Sequence, residues 1–539
     1  MTAVTDNANV NCANVTCANI DWKRVTYLLH VSRAMDEIEE TQLLSQKKVL
    51  YQFSARGHDL AQIVLASQLK HPHDAASGYY RSRPFLLTVG LPIEDGFAGP
   101  LGKSGGFSDG RDIGVVCNLP GNNSVTVLPM AGGVGTQYTP AAGWAQAVTY
   151  HRDVLQDESW RNAIAVVLGG DGAVATNGFW SALTMATTLK LPLLFYVEDN
   201  GYGLSVPSSF QTPGGNIAEN LASFKDLLVL DGDGCDPAET ARLSGQAVAH
   251  VRSGRGPCML RLSVPRLSGH SGQDTQAYKP TEFIAEEENR DPLPALREYV
   301  LGESLSEEEW NDLARQAKDD TESALTAALA RPEPQTSRLM QYVYAEQELA
   351  HNRSAQGGLP RSVVEQLASS DAPNSEPARI NMLTAIRRTL ESELRVNERV
   401  LVFGEDVGPK GGVHACTMGL QKTFGDKRVF DTSLSEEGII GRAVGMAISG
   451  LMPVTEIQFR KYADPAAEQI NDCGTVRWRT NNRFCAPLVM RIAGGHAKCG
   501  DPWHSQCGEV AWAHAIGWQV AFPSNAEDAV GLLRAAMRS

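Results

Sequence analysis

Apolar positions in this chain fall in short continuous blocks, separated by stretches of helical spacing. Ala-Ile-Ala-Val-Val-Leu at 163–168 and Leu-Leu-Phe-Tyr-Val at 193–197 are two such blocks, the first followed at once by glycines. Runs of this length predict strands buried on both faces of a parallel sheet. Asn177-Gly178 opens a segment to Lys190 that predicts a helix between them. A strand–helix–strand unit sets the two strand ends side by side, where open α/β sheets bind ligands. Residues 22–70 carry helical spacing, with Val49, Phe53, Leu60 and Val64 as marks of it, and strands alternate with helices from about 80 to 265. A second unit of the same kind starts near Arg379. Its strand candidates are Val400–Gly404, Val429–Asp431, 454–459, 488–492 and 518–522. The pattern predicts an α/β fold with two parallel sheets flanked by helices.

Between the units the pattern weakens. Residues 1–20, rich in Asn, Ala, Val and Thr, read as a disordered tail. Residues 282–330 are acidic and helix-friendly, with a solvated face expected for Glu286, Glu287 and Glu288. Residues 331–378 are rich in Pro, Ser, Gln and Ala and read as a linker holding one helix. The expected division is therefore 1–20, 21–330, 331–378 and 379–539. At 539 residues the chain is too long for one core. A net charge of −14 argues against nucleic-acid binding. The tail has no Lys or Arg, as a secretory or transit signal would require, and no apolar run is long enough for a membrane span. The ten cysteines are scattered without paired Cys-x-x-Cys sets, which makes zinc improbable and a reduced, cytoplasmic protein the plain reading.

Chemistry concentrates at the predicted strand ends. Gly170-Asp171-Gly172 follows the first buried strand, and Asn200-Gly201-Tyr202 follows the second, 29 positions after Asp171. Asp171, Asn200 and the Tyr202 carbonyl offer three hard oxygens to one cation, a set that suits Mg²⁺ bound with a phosphate. In the second unit, Ser435 reads as an N-cap with Glu436 and Glu437 in the first turn, where the helix dipole favours carboxylates. Gly438, Gly441 and Gly445 share one helical face, which makes sense if another backbone packs closely there.

Gly-Asp-Gly followed at this spacing by Asn resembles the thiamine-diphosphate fingerprint. From Arg379 onward the chain resembles the β subunit of the branched-chain 2-oxoacid dehydrogenase family. The strings are Phe403-Gly-Glu-Asp-Val, Gly411-Gly-Val, Leu434-Ser-Glu-Glu-Gly-Ile-Ile-Gly, Glu456-Ile-Gln-Phe and Trp503-His-Ser-Gln. Residues 50–280 resemble the α subunit, through Tyr79-Tyr-Arg-Ser-Arg, Gly135-Thr-Gln, Gly170-Asp-Gly, Asn200-Gly-Tyr and Gly269-His-Ser with Tyr278 following. The resemblance implies α and β subunits fused in one chain, as two thiamine-diphosphate-binding-fold domains joined by a linker. It puts Asp171, Asn200 and Tyr202 on Mg²⁺, and Gly170 and Gly172 beside them. Tyr80, Arg81 and His270 fall at the diphosphate side, and Leu434, Gln458 and Tyr462 in the cofactor pocket. Glu436 matches the glutamate that touches the aminopyrimidine ring. His504 matches the histidine that handles the 2-oxo group and acyl transfer, and His270 is carried with these two as catalytic. The implied activity is oxidative decarboxylation of a branched-chain 2-oxoacid, with thiamine diphosphate and Mg²⁺ as cofactors. The acyl group would pass to the lipoyl group of a partner acyltransferase, and a homodimer is expected because such sites form across interfaces.

Two departures stand out. The family's β part continues into a further C-terminal domain, so the expectation is either a fragment or a chain without that domain, and Ile113-Gly-Val-Val replaces a histidine-containing string in the α part. Pyruvate or acetoin dehydrogenase components, a transketolase-like enzyme, and an inactive truncated subunit or assembly module are the competing readings. A dinucleotide-binding oxidoreductase is disfavoured, since no Gly-x-Gly-x-x-Gly follows a first strand.

Overall fold

The computed structural model describes residues 20–114, 117–121, 124–345, 355–369, 378–495 and 501–538. Val115 and Val116 of the departing string, His496, most of the 1–20 tail and part of the 331–378 segment lie outside the described residues. No helix among the described residues is long and apolar enough to cross a membrane.

The first lobe is built on six parallel strands: β1 (Ala75–Ser77), β2 (Thr126–Val127), β3 (Ala165–Gly170), β4 (Leu193–Asp199), and, beyond the short hairpin of β5 (Tyr202–Gly203) and β6 (Val206–Pro207), β7 (Leu228–Asp233) and β8 (Cys258–Ser263). Their spatial order is β2-β1-β3-β4-β8-β7, with all pairings parallel. The two apolar blocks of the sequence become β3 and β4, adjacent and at the centre. Every residue of β4 is buried, as the two-sided cover of a parallel sheet requires. Gly170 stands opposite Glu198 in the register, so Asp171 and Asn200 leave the sheet at the same edge.

The second lobe is a four-stranded parallel sheet, ordered β10-β9-β11-β12, from β9 (Val400–Gly404), β10 (Val429–Asp431), β11 (Met452–Ile457) and β12 (Val489–Ile492). Its glycine-rich helix, Glu436–Ile448, packs on helix Tyr138–Asp153 of the first lobe. The glycine face points into that contact. A Cβ on Gly441 would overlap the Thr139 hydroxyl, one on Gly445 the Pro140 carbonyl, and one on Gly438 the Ser181 hydroxyl. Helix Tyr138–Asp153 answers with Gly143, which lies against the Arg442 carbonyl. The helix-propensity cost of these glycines is offset by backbone-to-backbone packing between the lobes.

Three expectations need correction. Residues 518–522 form no strand. Trp518 is tied by its indole N–H to the Ile470 carbonyl at 2.7 Å, Gly517 lies against Gly474, and Phe522 is exposed. Val49 and Phe53 are not helical, because the buried Asp36 carboxylate accepts from the Ser54 hydroxyl and the Ala55 N–H and pulls that segment away from a helical path. Glu287 does not face solvent: it is buried, bonded to Lys279 at 2.5 Å and to the Arg266 N–H at 3.0 Å. After the long helix Glu307–Ala330, Arg331 is clamped by Glu94 and Asp95, and the Trp478 indole donates to the Leu339 carbonyl. The start of the connecting segment is therefore strapped to both lobes.

Candidate active site

At the shared edge of β3 and β4, Asp171 is only 3% exposed, and its Oδ2 has no hydrogen-bond partner among the described residues. Burial, with Asp199 nearby, pushes the carboxyl up to about 7. Asn200 Oδ1 accepts the Tyr202 N–H at 3.1 Å, and its amide nitrogen lies 3.0 Å from Nε2 of the fully buried His58. Gly201, at φ +81°, turns the chain back so that the β5–β6 hairpin lies over the Gly170-Asp-Gly turn. Gly172 permits the approach, since a Cβ there would sit 2.9 Å from the Gly203 Cα. Asp171, Asn200 and Tyr202 are thus brought together. A buried carboxylate oxygen without a donor, next to an amide oxygen, is the chemistry of a hard-cation ligand set, so these residues fit Mg²⁺. No cluster of three or more His, Cys, Asp or Glu stands ready for a metal among the described residues.

Beside this edge, Arg81 is buried, with no ion pair to a carboxylate among the described residues. It donates to the Ser54 carbonyl at 2.5 Å and the His270 carbonyl at 3.1 Å. Tyr80 packs between Phe53 and His270, with ring centroids 4.5 and 5.5 Å away, and the Arg81 guanidinium stands over its ring. Burial, with Arg81 and Arg266 close by, lowers the His270 imidazole to about 4, so it is neutral at pH 7. Arg266, also buried, is held by the Leu204 carbonyl and the Tyr278 hydroxyl. Two buried guanidiniums whose direct hydrogen bonds go to neutral oxygens suit an anion of several charges such as a diphosphate.

Glu198 was not singled out from the sequence. It is fully buried inside β4, accepting from the Tyr79 hydroxyl at 2.6 Å and the Gln62 amide at 2.9 Å, and burial pushes it up to about 8. Gln62 also donates to the Arg81 carbonyl, so this network fixes the Tyr79-Tyr-Arg turn. The available signal was a carboxylate inside an otherwise apolar strand.

In the second lobe the Ser435 hydroxyl accepts the Gly438 N–H at 3.1 Å and caps the helix, which places Glu436 half-buried in its first turn. Glu405, also missed, stands beside it. Burial first, then the Glu436 charge, push the Glu405 carboxyl up to about 7, and its Oε1 is buried without a partner. Glu405 lies in the Phe403-Gly-Glu-Asp-Val string, so motif position was its signal. Tyr462 Oη lies 2.9 Å from His504 Nε2, and the His504 ring stacks on Phe459 at 4.3 Å. Gln458 is half-buried just after β11, and Leu434 is 85% exposed. Among the described residues, no hydrogen bond, ion pair or ring contact joins Glu436 or His504 to Asp171, Asn200, Arg81 or His270.

Comparison with known proteins completes the picture. Residues 27–337 match the model of the dehydrogenase E1 component, and residues 378–539 that of the transketolase pyrimidine-binding domain. The chain is 43% identical over 161 residues to the 2-oxoisovalerate dehydrogenase subunit beta of Pseudomonas aeruginosa, covering 30% of this chain and 46% of that protein. It is 40% identical over 160 residues to the protein of the same name from Bacillus subtilis, covering 30% and 49%. It is 43% identical over 159 residues to the 3-methyl-2-oxobutanoate dehydrogenase subunit beta of Mycobacterium tuberculosis, covering 29% and 46%. The chain spans about half the length of these relatives.

Proposed function

The chain belongs to the dehydrogenase E1 component family, and from that premise we propose that it oxidatively decarboxylates a branched-chain 2-oxoacid of the 3-methyl-2-oxobutanoate type. In this reading it uses thiamine diphosphate and Mg²⁺ and passes the acyl group to the lipoyl arm of a partner acyltransferase. The observation that carries it is the buried Asp171 Oδ2, without a donor among the described residues, together with the buried guanidiniums of Arg81 and Arg266 held by neutral oxygens. When bound, the cofactor supplies a nucleophilic carbon and an electron sink, and the cation neutralises its diphosphate.

The chain's own residues do the rest. Asp171, Asn200 and the Tyr202 carbonyl would hold the cation, with Gly170 and Gly172 allowing the close turn, and Arg81, Tyr80 and His270 would face the diphosphate. Glu436 would bond the aminopyrimidine ring, with Leu434, Gln458 and Tyr462 around it. Glu405 stands beside Glu436, its carboxyl pushed up to about 7 by burial and by the Glu436 charge. His504, oriented by Tyr462, is placed to move a proton at the 2-oxo group and in acyl transfer. A homodimer is part of this reading, because sites of this kind form across interfaces.

The test is release of CO₂ from 3-methyl-2-oxobutanoate by the chain with thiamine diphosphate, Mg²⁺ and a dye acceptor. Turnover confined to a pair of sugar phosphates would sink the reading. Preference for pyruvate would move the substrate but keep the chemistry.

A further inference from the structure

His414 belongs to no ligand set assigned above, yet the fold brings it to His504. It lies on the loop after Gly411-Gly412, which is seated over the end of β11: Gly412 packs on the buried Glu456, and Thr417 donates to the Val407 carbonyl at 2.8 Å. This seating holds the His414 ring edge-on to Phe459, with centroids 5.5 Å apart and an interplanar angle of 80°. Phe459 carries the stacked His504 ring at 4.3 Å. One phenyl ring therefore positions two imidazoles, both solvent-exposed. The Tyr462 hydroxyl occupies Nε2 of His504, while the His414 side chain has neither hydrogen bond nor ion pair among the described residues. The full cations nearby are committed, Arg460 and Lys461 to Asp464 and Arg491 to Glu456.

We propose that His414 is a substrate-binding residue that takes the carboxylate of the 2-oxoacid while His504 faces its keto oxygen; this rests on the function proposed above. A 2-oxoacid places a carboxylate and a keto oxygen on adjacent carbons, two acceptors for two imidazoles that share one aromatic ring. An imidazole N–H donates to a carboxylate in a charge-assisted hydrogen bond, and the exposed position imposes no burial cost. A donor to the carboxylate loses its charged partner once that group leaves as neutral carbon dioxide. Its contribution therefore belongs to ground-state binding and not to bond cleavage.

The test titrates 3-methyl-2-oxobutanoate by calorimetry into the full chain loaded with Mg²⁺ and a non-reacting analogue of thiamine diphosphate. It compares the unaltered protein, His414→Phe and His414→Lys, with 3-methylbutan-2-one as the ligand that lacks the carboxylate. His414→Phe is expected to weaken oxoacid binding about tenfold, as loss of one charge-assisted contact does, and to leave the ketone unaffected. His414→Lys is expected to restore most of the loss, and in turnover His414→Phe raises KM far more than it lowers kcat. Equal oxoacid binding by all three proteins, an equal loss for oxoacid and ketone, or no binding by the unaltered chain would each overturn the assignment. CO₂ release by the unaltered chain judges the parent reading separately. A decarboxylating enzyme whose His414 variants bind normally rejects only the role given to His414.

Discussion

The Ser435 hydroxyl, which caps the helix carrying Glu436, lies 2.8 Å from the Ser181 hydroxyl in the helix that follows Gly170-Asp-Gly. The acid-bearing helix of one lobe is thereby docked directly on the other lobe, with Gly438 immediately behind the contact. The clasp makes Gly445 a sensitive position. Gly445→Val would drive two methyl groups into the Pro140 carbonyl and the backbone of Gly143 and Trp144. Overpacking against backbone is expected to cost about 3 kcal/mol, read as a lower urea midpoint with near-native helix content. An unchanged midpoint would show that the lobes do not clasp along this face.

Asp171→Asn separates ligand binding from folding. The amide keeps the shape but removes the charge that burial disfavours. The variant alone is expected to melt at or above the unaltered protein at pH 8. It is expected to lose the rise in melting temperature that Mg²⁺ with thiamine diphosphate gives the unaltered chain. A full ligand-dependent rise in the variant would remove Asp171 from the cation site.

Glu436→Ala is expected to abolish hydrogen–deuterium exchange at the thiazolium carbon while leaving cofactor binding measurable, and NMR of the bound cofactor reads both. Glu405→Gln keeps a neutral group where the raised carboxyl stood, so it is expected to leave cofactor affinity within about threefold. Normal exchange in Glu436→Ala would take the aminopyrimidine role away from that residue.

His151 gives a pH prediction that does not depend on activity. It is buried, stacked on Trp160 at 4.0 Å, and its Nε2 lies 3.1 Å from the Ser449 carbonyl of the second lobe. Burial first, then Arg399, lower it from 6.5 to about 4. Between those values the unfolded chain binds a proton that the native chain does not, so stability falls as pH drops from about 6.5 toward 4. The full effect is on the order of 3 kcal/mol. His151→Phe keeps the stack and removes the titration. Its melting temperature is expected to decline less steeply than that of the unaltered protein over this range, and parallel curves would refute the claim.

The sequence alone determined the elements whose cause is local. Continuous apolar blocks gave β3, β4 and β9, because a strand covered on both faces must be apolar throughout. Ser435 announced a helix start, and the glycine period announced a close partner without naming it. Residues whose placement depends on distant atoms were decided only by the tertiary structure. Val49 and Phe53 keep helical spacing, yet the buried Asp36 carboxylate holds their segment in another path. The 518–522 run has strand composition, yet Trp518 is tied to the Ile470 carbonyl and Gly517 lies against Gly474, and the run stays irregular. In the site, motif positions placed Asp171 with Asn200 and Tyr80 with Arg81. Glu198, Glu405 and His58 gain their character from burial, and His414 from a ring partner far along the chain. Chain order records neither of these, since desolvation and ring stacking exist only once the lobes have closed.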